Sequence, residues 1–301
     1  MTRRRESPPL IAAPSTDLGA VVVRTLEERW TVLLKALDNA RKKTGGRRVH
    51  DLRVALRRMA SVAALVSEIV DSRAERSLRK RVERLLKRLG RLRDTHVQRK
   101  AIGGMTRRFP VLVPLRARLE KREREREEEV AHRLAKVDVD VLQTRFEEVA
   151  AEALLALSSS VLIERHRQTL LDAVNRRFAR LIDRRRDLDV ANLETMHAMR
   201  VAFKKFRYMV EVLQPVLVGM GQAQLDAMQA FQTMMGDVHD LDELDRRVAA
   251  WRVKHGKNGD AFVAAQDDIG RRLLQKTDAL MAAADDIHGF WNQSYLPAVE
   301  G

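Results

Sequence analysis

The chain has 301 residues, of which 45% are hydrophobic and only 4% aromatic, and it contains no cysteine. This composition excludes a disordered chain, disulfide bonds and thiolate metal sites. Lys and Arg number 57 against 42 Asp and Glu, which leaves a formal net charge of +15 and predicts a polyanionic partner. Leu, Ala, Arg, Glu and Val dominate, and together they predict an all-α fold.

The first 18 residues lack helical periodicity. Three arginines at positions 3 to 5 precede Ser7, Pro8 and Pro9, and the apolar stretch Leu10–Ala13 is shorter than the roughly seven residues of a secretory signal core. We therefore expect a flexible tail over residues 1–18. No apolar run approaches the roughly 20 residues of a membrane span, and the chain has no cysteine with which to form disulfide bonds. We therefore expect a protein of the reducing cytoplasm.

Helical periodicity begins near Leu18, and the chain then divides into segments of roughly 18 to 35 residues. The breaks between segments carry glycine, proline or short polar residues, and they fall at 44–46, 72, 103–104, 110–114, 138, 158–160, 187–192, 219–221 and 256–259. Long helices joined by short connections predict helical bundles.

The chain contains an internal repeat. The segment His50–Arg58 (HDLRVALRR) recurs 147 positions later as His197–Lys205 (HAMRVAFKK). A second pair follows in the same order, with Leu89–Asp94 echoed 146 positions later by Met235–Asp240. Two matches at nearly one spacing indicate a duplicated unit of several helices.

The duplication divides the chain into two related units. We predict a first helical bundle over residues 19–158 and a second over residues 159–301. The join falls at the serine-rich break near Ser158.

Each copy of the repeat carries a basic helix face. At about 100° per residue, Arg53 and Arg57 fall within about 60° of His50, and Arg58 lies near 80°. The first row is His50, Arg53, Arg57 and Arg58, and the second is His197, Arg200, Lys204, Lys205, Arg207 and Tyr208. Neither row has an interleaved carboxylate, so its like charges repel by a few tenths of a kcal/mol per i,i+4 pair. A bound polyanion would offset this repulsion, and Arg, Lys, Tyr and protonated His all donate hydrogen bonds to phosphate.

A third basic face precedes Gly90. It comprises Lys80, Arg84, Lys87, Arg88 and Arg91. Glu83 lies nearby, and the second copy has glutamines in the corresponding region, so we expect these residues to make supporting contacts only.

These motifs resemble the CHAD family, the conserved histidine α-helical domain. Its His with Arg at +3 and basic residues at +7 and +8 fits both copies, and its Leu-Gly-x-x-Arg-Asp-x-x-Val pattern fits Leu89–Val97. The resemblance covers about residues 19–295. It implies two four-helix bundles of long helices related by a pseudo-two-fold axis, with a central basic pore or groove that binds inorganic polyphosphate through the two rows above. Ala60 and Ser61 stand where the second copy has Arg207 and Tyr208, so unequal contributions from the two halves are expected.

The resulting prediction is non-catalytic binding of inorganic polyphosphate, with targeting to polyphosphate granules and no cofactor. The alternative is a nucleic-acid-binding helical protein, because the net positive charge would attract nucleic acid as well as polyphosphate. No base-reading motif is recognisable, however, and stacking aromatics are scarce. The oligomeric state stays open.

Two His-Asp doublets, at His50 and at His239, are also found in metal-dependent phosphohydrolases. That chemistry needs further His and Asp ligands converging on one ion. In a helix Asp51 lies about 100° away from His50, so the two do not share one face. We therefore predict no metal site and no enzymatic activity.

Overall fold

The structure, a computed structural model, describes residues 18–158, 162–255, 259–292 and 295. Over these residues it contains nine α-helices and no strand, which confirms the all-α prediction. The helices are α1 (Leu18–Lys42), α2 (Gly46–Val66), α3 (Arg73–Met105), α4 (Val113–Ala135), α5 (Val139–Ser158), α6 (Ile163–Arg186), α7 (Leu193–Leu213), α8 (Gln222–His255) and α9 (Gly259–Asp285). Short 3-10 helices follow α3, α7 and α9, at Pro110–Leu112, Gln214–Val216 and Asp286–Phe290. The predicted tail, apart from Leu18, lies outside the described residues.

Capping residues fix several helix ends. The Ser72 side chain accepts a hydrogen bond of 3.0 Å from the backbone N–H of Glu75 at the start of α3. Asn192 does the same for Glu194 at the start of α7, at 3.2 Å. Gly219 turns the chain between α7 and α8 with φ of +71°, a conformation that side chains with a Cβ rarely adopt. These caps explain why the predicted breaks at these places are real.

The break predicted at Gly103 and Gly104 was misplaced. Helix α3 continues through both glycines and ends at Met105. Ile102 and Met105 are buried, and this packing outweighs the roughly 1 kcal/mol that each glycine costs a helix. The helix stops because Phe109 precedes Pro110 and takes a non-helical conformation.

The helix boundaries repeat with the same offset as the sequence motif. Both α2 and α7 have 21 residues, and they begin at positions 46 and 193, which are 147 residues apart. Helices α3 and α8, of 33 and 34 residues, follow them in turn. At the position that corresponds to α5, 147 residues later, the described residues form the 3-10 helix Asp286–Phe290. The pseudo-two-fold axis and the division into two bundles remain predictions.

The hydrophobic core is shared between the two halves. Its main part runs from Leu26 of α1 and Leu56 of α2 to Phe203 and Phe206 of α7, all fully buried. A smaller core joins the C-terminal parts of α3 and α8 to the first turns of α4 and α9. Helix α2 packs against α7, and α3 packs against α8. This packing brings the basic face of the first copy next to that of the second.

Candidate polyanion-binding site

Helices α2 and α7 present their basic faces because their apolar faces are buried. Leu52, Leu56 and Met59 of α2 are at most 1% exposed, and Met199 and Phe203 of α7 are fully buried. This burial fixes the rotation of each helix, so the motif residues point away from the core. We call the resulting group the central basic cluster. It consists of His50, Arg53 and Arg57 of α2, Arg93 of α3, and Arg200 and Lys204 of α7.

Lys204 reports how closely the two halves approach. Burial lowers the pKa of its ammonium group from 10.5 to about 8, and the neighbouring charges add to this effect in the order Arg57, Arg200, Arg53 and Lys205. Arg57 and Arg53 belong to α2, so cations of the first copy act on a cation of the second. The two basic faces therefore lie within electrostatic range of each other.

Arg53 is held between α2 and α3. Its Nη1 donates a hydrogen bond of 3.1 Å to the carbonyl oxygen of Leu86. Gly90 lies one turn further along α3, and a Cβ there would be in ordinary van der Waals contact with the same Nη1, at 3.6 Å. Burial lowers the pKa of Arg53, followed by the charge of Arg57, and the charge of Arg200 contributes as well.

The cluster has little internal charge compensation. Among the described residues, none of its six members is within 4 Å of a carboxylate oxygen. The Nε of Arg57 is buried and has no hydrogen-bond partner. Buried donors in folded proteins are nearly always satisfied, so an orphaned guanidinium nitrogen indicates a missing acceptor.

Two aspartates lie at the edge of the cluster, one from each copy of the second repeated motif. Asp94 acts on Arg53 and Asp240 acts on Arg200. Desolvation raises the pKa of both carboxyl groups, while the nearby arginines lower it. Two carboxylates against five Lys and Arg leave the cluster strongly positive.

The histidines lie at the same end of both helices. Burial, then the charge of Arg93, lowers the pKa of His50. The His197 ring is exposed, with its centroid 5.1 Å from that of His239 on α8. Burial, then Arg200, lowers the pKa of His239 to about 4. His50 and His239 are thus neutral near pH 7 without a ligand, and a phosphate anion beside them would favour their protonation.

A groove between α6 and α7 extends the basic surface beyond His197. It has a volume of about 540 Å³, and its polar lining is His197, Lys205, Arg177, Arg180, Arg184 and Asp183. Burial lowers the pKa of Arg177, and the charge of Arg180 lowers it further. We call this feature the α6/α7 groove.

Arg58 takes the position in α2 that Lys205 takes in α7. It faces Arg29 of α1, whose pKa is lowered by burial and then by the charge of Arg58. The Nε of Arg58 is also buried without a hydrogen-bond partner. Arg58 therefore lies next to α1, whereas Lys205 lies in the α6/α7 groove.

The structure does not bring Arg207 into the cluster, which corrects the sequence prediction. Arg207 is 4% exposed and donates to Gln232 at 2.9 Å and to Glu211 at 2.6 Å. Its guanidinium lies 4.6 Å from the ring centroid of Tyr208, which is itself only 6% exposed. Helix α1 packs over this end of α7. Arg207 is thus a paired interior residue. Tyr208 is also buried but lies within electrostatic range of Arg200, so its part in binding remains a prediction.

The third basic face lies apart from the cluster. Its five residues, Lys80, Arg84, Lys87, Arg88 and Arg91, are all exposed along α3. Arg84 and Arg88 line a separate pocket.

Sequence reasoning missed four cations. Arg93 belongs to the repeated Leu89–Asp94 motif, which served as evidence of duplication and of the family resemblance but not of the binding site. Arg177, Arg180 and Arg184 follow the same spacing of +3 and +7 as His50, Arg53 and Arg57. That spacing was the available signal, but it becomes informative only once α6 is known to pack beside α7.

One group of side chains within the described residues has the composition of a metal site. The Nε2 atom of His96 lies 3.2 Å from Glu123 and 3.3 Å from Glu127. Glu123 also pairs with Arg99, however, and Nδ1 of His96 is buried without a partner. Metal-ligating histidines almost always donate from the second ring nitrogen, so we interpret this group as a buried ion-pair cluster that joins α3 to α4.

The fold is that of a known helical domain. It is similar to the crystal structure of the CHAD domain from the plant Ricinus communis, with a TM-score of 0.70 and 18% identity over 94% of this chain and 97% of that chain. It is also similar to PptA from Streptomyces chartreusis, with a TM-score of 0.59 and 15% identity over 89% of this chain and 98% of that chain. Identities this low show the shared fold alone. No functionally curated protein matches the chain.

The sequence matches the CHAD domain family model over residues 24–249. This match spans well over half of the chain, so the protein belongs to the CHAD family, and the resemblance drawn from its motifs is confirmed. Family membership indicates a function related to polyphosphate. None of the described helices has an apolar stretch long enough to cross a membrane.

Proposed function

We propose that the protein binds inorganic polyphosphate in the central basic cluster and does not hydrolyse it. The observation that supports this proposal is the packing of α2 against α7, which brings cations from both copies of the repeat together around Lys204. Bringing these charges together costs free energy that the cluster itself does not offset. A phosphate chain between α2 and α7 would compensate it and would accept charge-assisted hydrogen bonds from the guanidinium and ammonium groups of the cluster.

An extended ligand fits the arrangement better than a single phosphate. The basic surface runs from the central basic cluster past His197 into the α6/α7 groove, where Arg177, Arg180 and Arg184 continue it. A linear polyanion with a charge on every unit can engage such a row along its length. Each arginine can offer two parallel donors to one phosphate.

The acidic residues of the cluster support a binding role rather than catalysis. Burial raises the pKa of Asp94 and of Asp240, and the charges of Arg53 and Arg200 oppose that rise, so each carboxyl group is coupled to a cation of the cluster. The His96 group, which has metal-ligand chemistry, is engaged with Arg99 through Glu123. We therefore infer that polyphosphate is held without cleavage. Incubation with polyphosphate and divalent metals is expected to release no phosphate, and steady release would contradict this inference.

A quadruple substitution tests the site. Arg53, Arg57, Arg200 and Lys204 are changed together to Ala, and polyphosphate affinity is measured by calorimetry. The control changes four exposed cations elsewhere, Arg118, Lys121, Arg124 and Lys254, to Ala, so that the net charge falls equally. We expect a loss of at least about 100-fold in the site variant, because each charge-assisted hydrogen bond contributes about 1.5 to 3 kcal/mol. An equal loss of affinity in both variants would show that binding depends on net charge alone, and it would exclude this site.

Nucleic acid is the competing polyanion. Long-chain polyphosphate should displace single-stranded DNA from the protein at equal charge concentration and equal salt. The scarcity of aromatics on the basic faces favours this order, because stacking on aromatic rings contributes about 1 to 3 kcal/mol per base in single-strand binders. If DNA displaces polyphosphate and polyphosphate fails to displace DNA, the protein is a nucleic-acid-binding protein.

We further propose that polyphosphate binding directs the protein to cytoplasmic polyphosphate granules. A fluorescent fusion of the intact chain should co-localise with granules, whereas the quadruple variant should remain diffuse. Co-localisation of the quadruple variant would show that another surface directs the protein there.

A further inference from the structure

A second basic pocket lies on the other flank of α3. It has a volume of about 210 Å³. Arg81, Arg84, Leu85 and Arg88 of α3 line it, together with the turn 136–138 between α4 and α5 and Leu142 of α5. Arg88 lies about 200° around the axis of α3 from Gly90, which abuts Arg53 of the central basic cluster. We call this feature the α3/α5 pocket.

The four cations of the α3/α5 pocket have no acidic partner. Within the part of the chain that the structure describes, Arg81, Arg84, Arg88 and Lys136 form no salt bridge within 4 Å. Asp138 is the one carboxylate in the lining, and its Oδ1 accepts a hydrogen bond of 3.0 Å from the backbone N–H of Val141. That carboxylate caps α5, and the pocket keeps a net positive charge.

The backbone around the pocket is arranged to accept an anion. The last carbonyl groups of a helix carry partial negative charge and would repel one. Here Arg41 of α1 binds them, with its Nε donating to Leu134 at 2.9 Å and its Nη2 donating to Val137. The same turn then begins α5 at Val139, where Asp138 caps the backbone N–H of Val141. With the carbonyl groups bound by Arg41, Lys136 is the cation that this turn offers to an anion.

We propose that the α3/α5 pocket is a second site for a phosphate segment, separate from the central basic cluster. The choice of ligand class rests on the proposed function, whereas the existence of a second anion site rests on the pocket itself. The exposed cations of α3 link the two sites, because Lys87, Lys80, Arg91 and Arg84 step around the helix from the side of Gly90 to the side of Arg88. A long polyphosphate chain can therefore bind both sites of one molecule, or one site in each of two molecules.

Calorimetry with tripolyphosphate tests the second site. This ligand is too short to reach around a helix about 10 to 12 Å wide, so each site should bind its own molecule. The pocket variant is Arg84→Ala with Arg88→Ala, and the matched control is Lys121→Ala with Arg124→Ala, which removes two exposed cations from α4. We expect two sites in the wild type and the control but one in the pocket variant. All four residues are exposed, and unfolding curves verify that each variant is folded.

A third variant, Arg53→Ala with Lys204→Ala, separates this inference from the proposed function. It should also bind one tripolyphosphate, at the intact α3/α5 pocket. Fewer than two sites in the wild type, or two sites in the pocket variant, would overturn the second site. If the Arg53 and Lys204 variant still binds two tripolyphosphate molecules, the proposed function at the central basic cluster is wrong. The result for the Arg84 and Arg88 variant would then decide about the α3/α5 pocket separately.

Discussion

Replacing Lys204 with Met should stabilise the free protein while weakening polyphosphate binding. Lys204 is half-buried among arginines, and its pKa falls from 10.5 to about 8. At pH 7 it is therefore still charged in the folded state and contributes repulsion to the cluster. Met keeps most of the length and the apolar contacts of the lysine stem but removes the charge.

The magnitude follows from the pKa. Each pKa unit corresponds to about 1.4 kcal/mol, so a fall from 10.5 to about 8 corresponds to at most about 3.5 kcal/mol. Solvent screening reduces this value, and we expect a gain of about 1 to 2 kcal/mol in the free energy of unfolding. Because the folded-state pKa lies below the unfolded one, the penalty is fully present below pH 8 and fades as pH rises from about 8 to about 10.5. The advantage of the Met variant should fade over the same range.

Urea unfolding without ligand, at about pH 6.5 and about pH 9.5, measures this difference. Lys204→Arg is the control that keeps the charge, and it should gain no stability. A Met variant that is no more stable than the wild type at the lower pH, or whose advantage grows at the higher pH, would refute the electrostatic account of the cluster.

Two further substitutions test neighbouring parts of the structure. Arg207→Met should lower the free energy of unfolding by about 3 to 5 kcal/mol, because it leaves Glu211 in the interior without its partner. The polyphosphate affinity of the folded variant should stay within about twofold of the wild type. A stable Arg207 variant with much lower affinity would show that this residue belongs to the site. Gly90→Ala should raise the free energy of unfolding by about 0.5 to 1 kcal/mol and leave polyphosphate binding unchanged, because an added Cβ meets only the flexible end of Arg53 at 3.6 Å. The larger side chain of a Gly90→Leu variant should displace that guanidinium and weaken binding. Equal affinity in the Ala and Leu variants would contradict the role given to Arg53.

Much of the helical architecture was predictable from the sequence because it depends on local signals. The periodicity of apolar residues and the capping residues Ser72 and Asn192 locate helices within a few positions. The repeat identified α2 and α7 as equivalent, and its spacing placed His50, Arg53 and Arg57 on one face. These properties belong to single helices, so the local sequence determines them.

The predictions that failed concern features that depend on which helices pack together. A projection of α7 alone places Tyr208 and Arg207 beside the basic row, but in the folded chain both are buried and Arg207 pairs with Gln232 of α8 and with Glu211. The same projection is silent about Arg93 and Arg177, which reach the basic surface from α3 and α6. Nor does it reveal that the faces of α2 and α7 approach each other. Tertiary contacts between distant segments decide these points, and one sequence does not encode them in a local pattern.

The central claim is that polyphosphate lies against Lys204 between the two copies of the repeat. Proton uptake on binding tests it most directly, because a phosphate beside Lys204 must raise its lowered pKa. Calorimetry at about pH 8, in two buffers of different ionisation enthalpy, should give an uptake of about half a proton from this lysine in the wild type. The Lys204→Arg variant should bind with that component missing. Uptake that is identical in the two proteins, at undiminished affinity, would contradict the account, because the ligand would then lie away from Lys204.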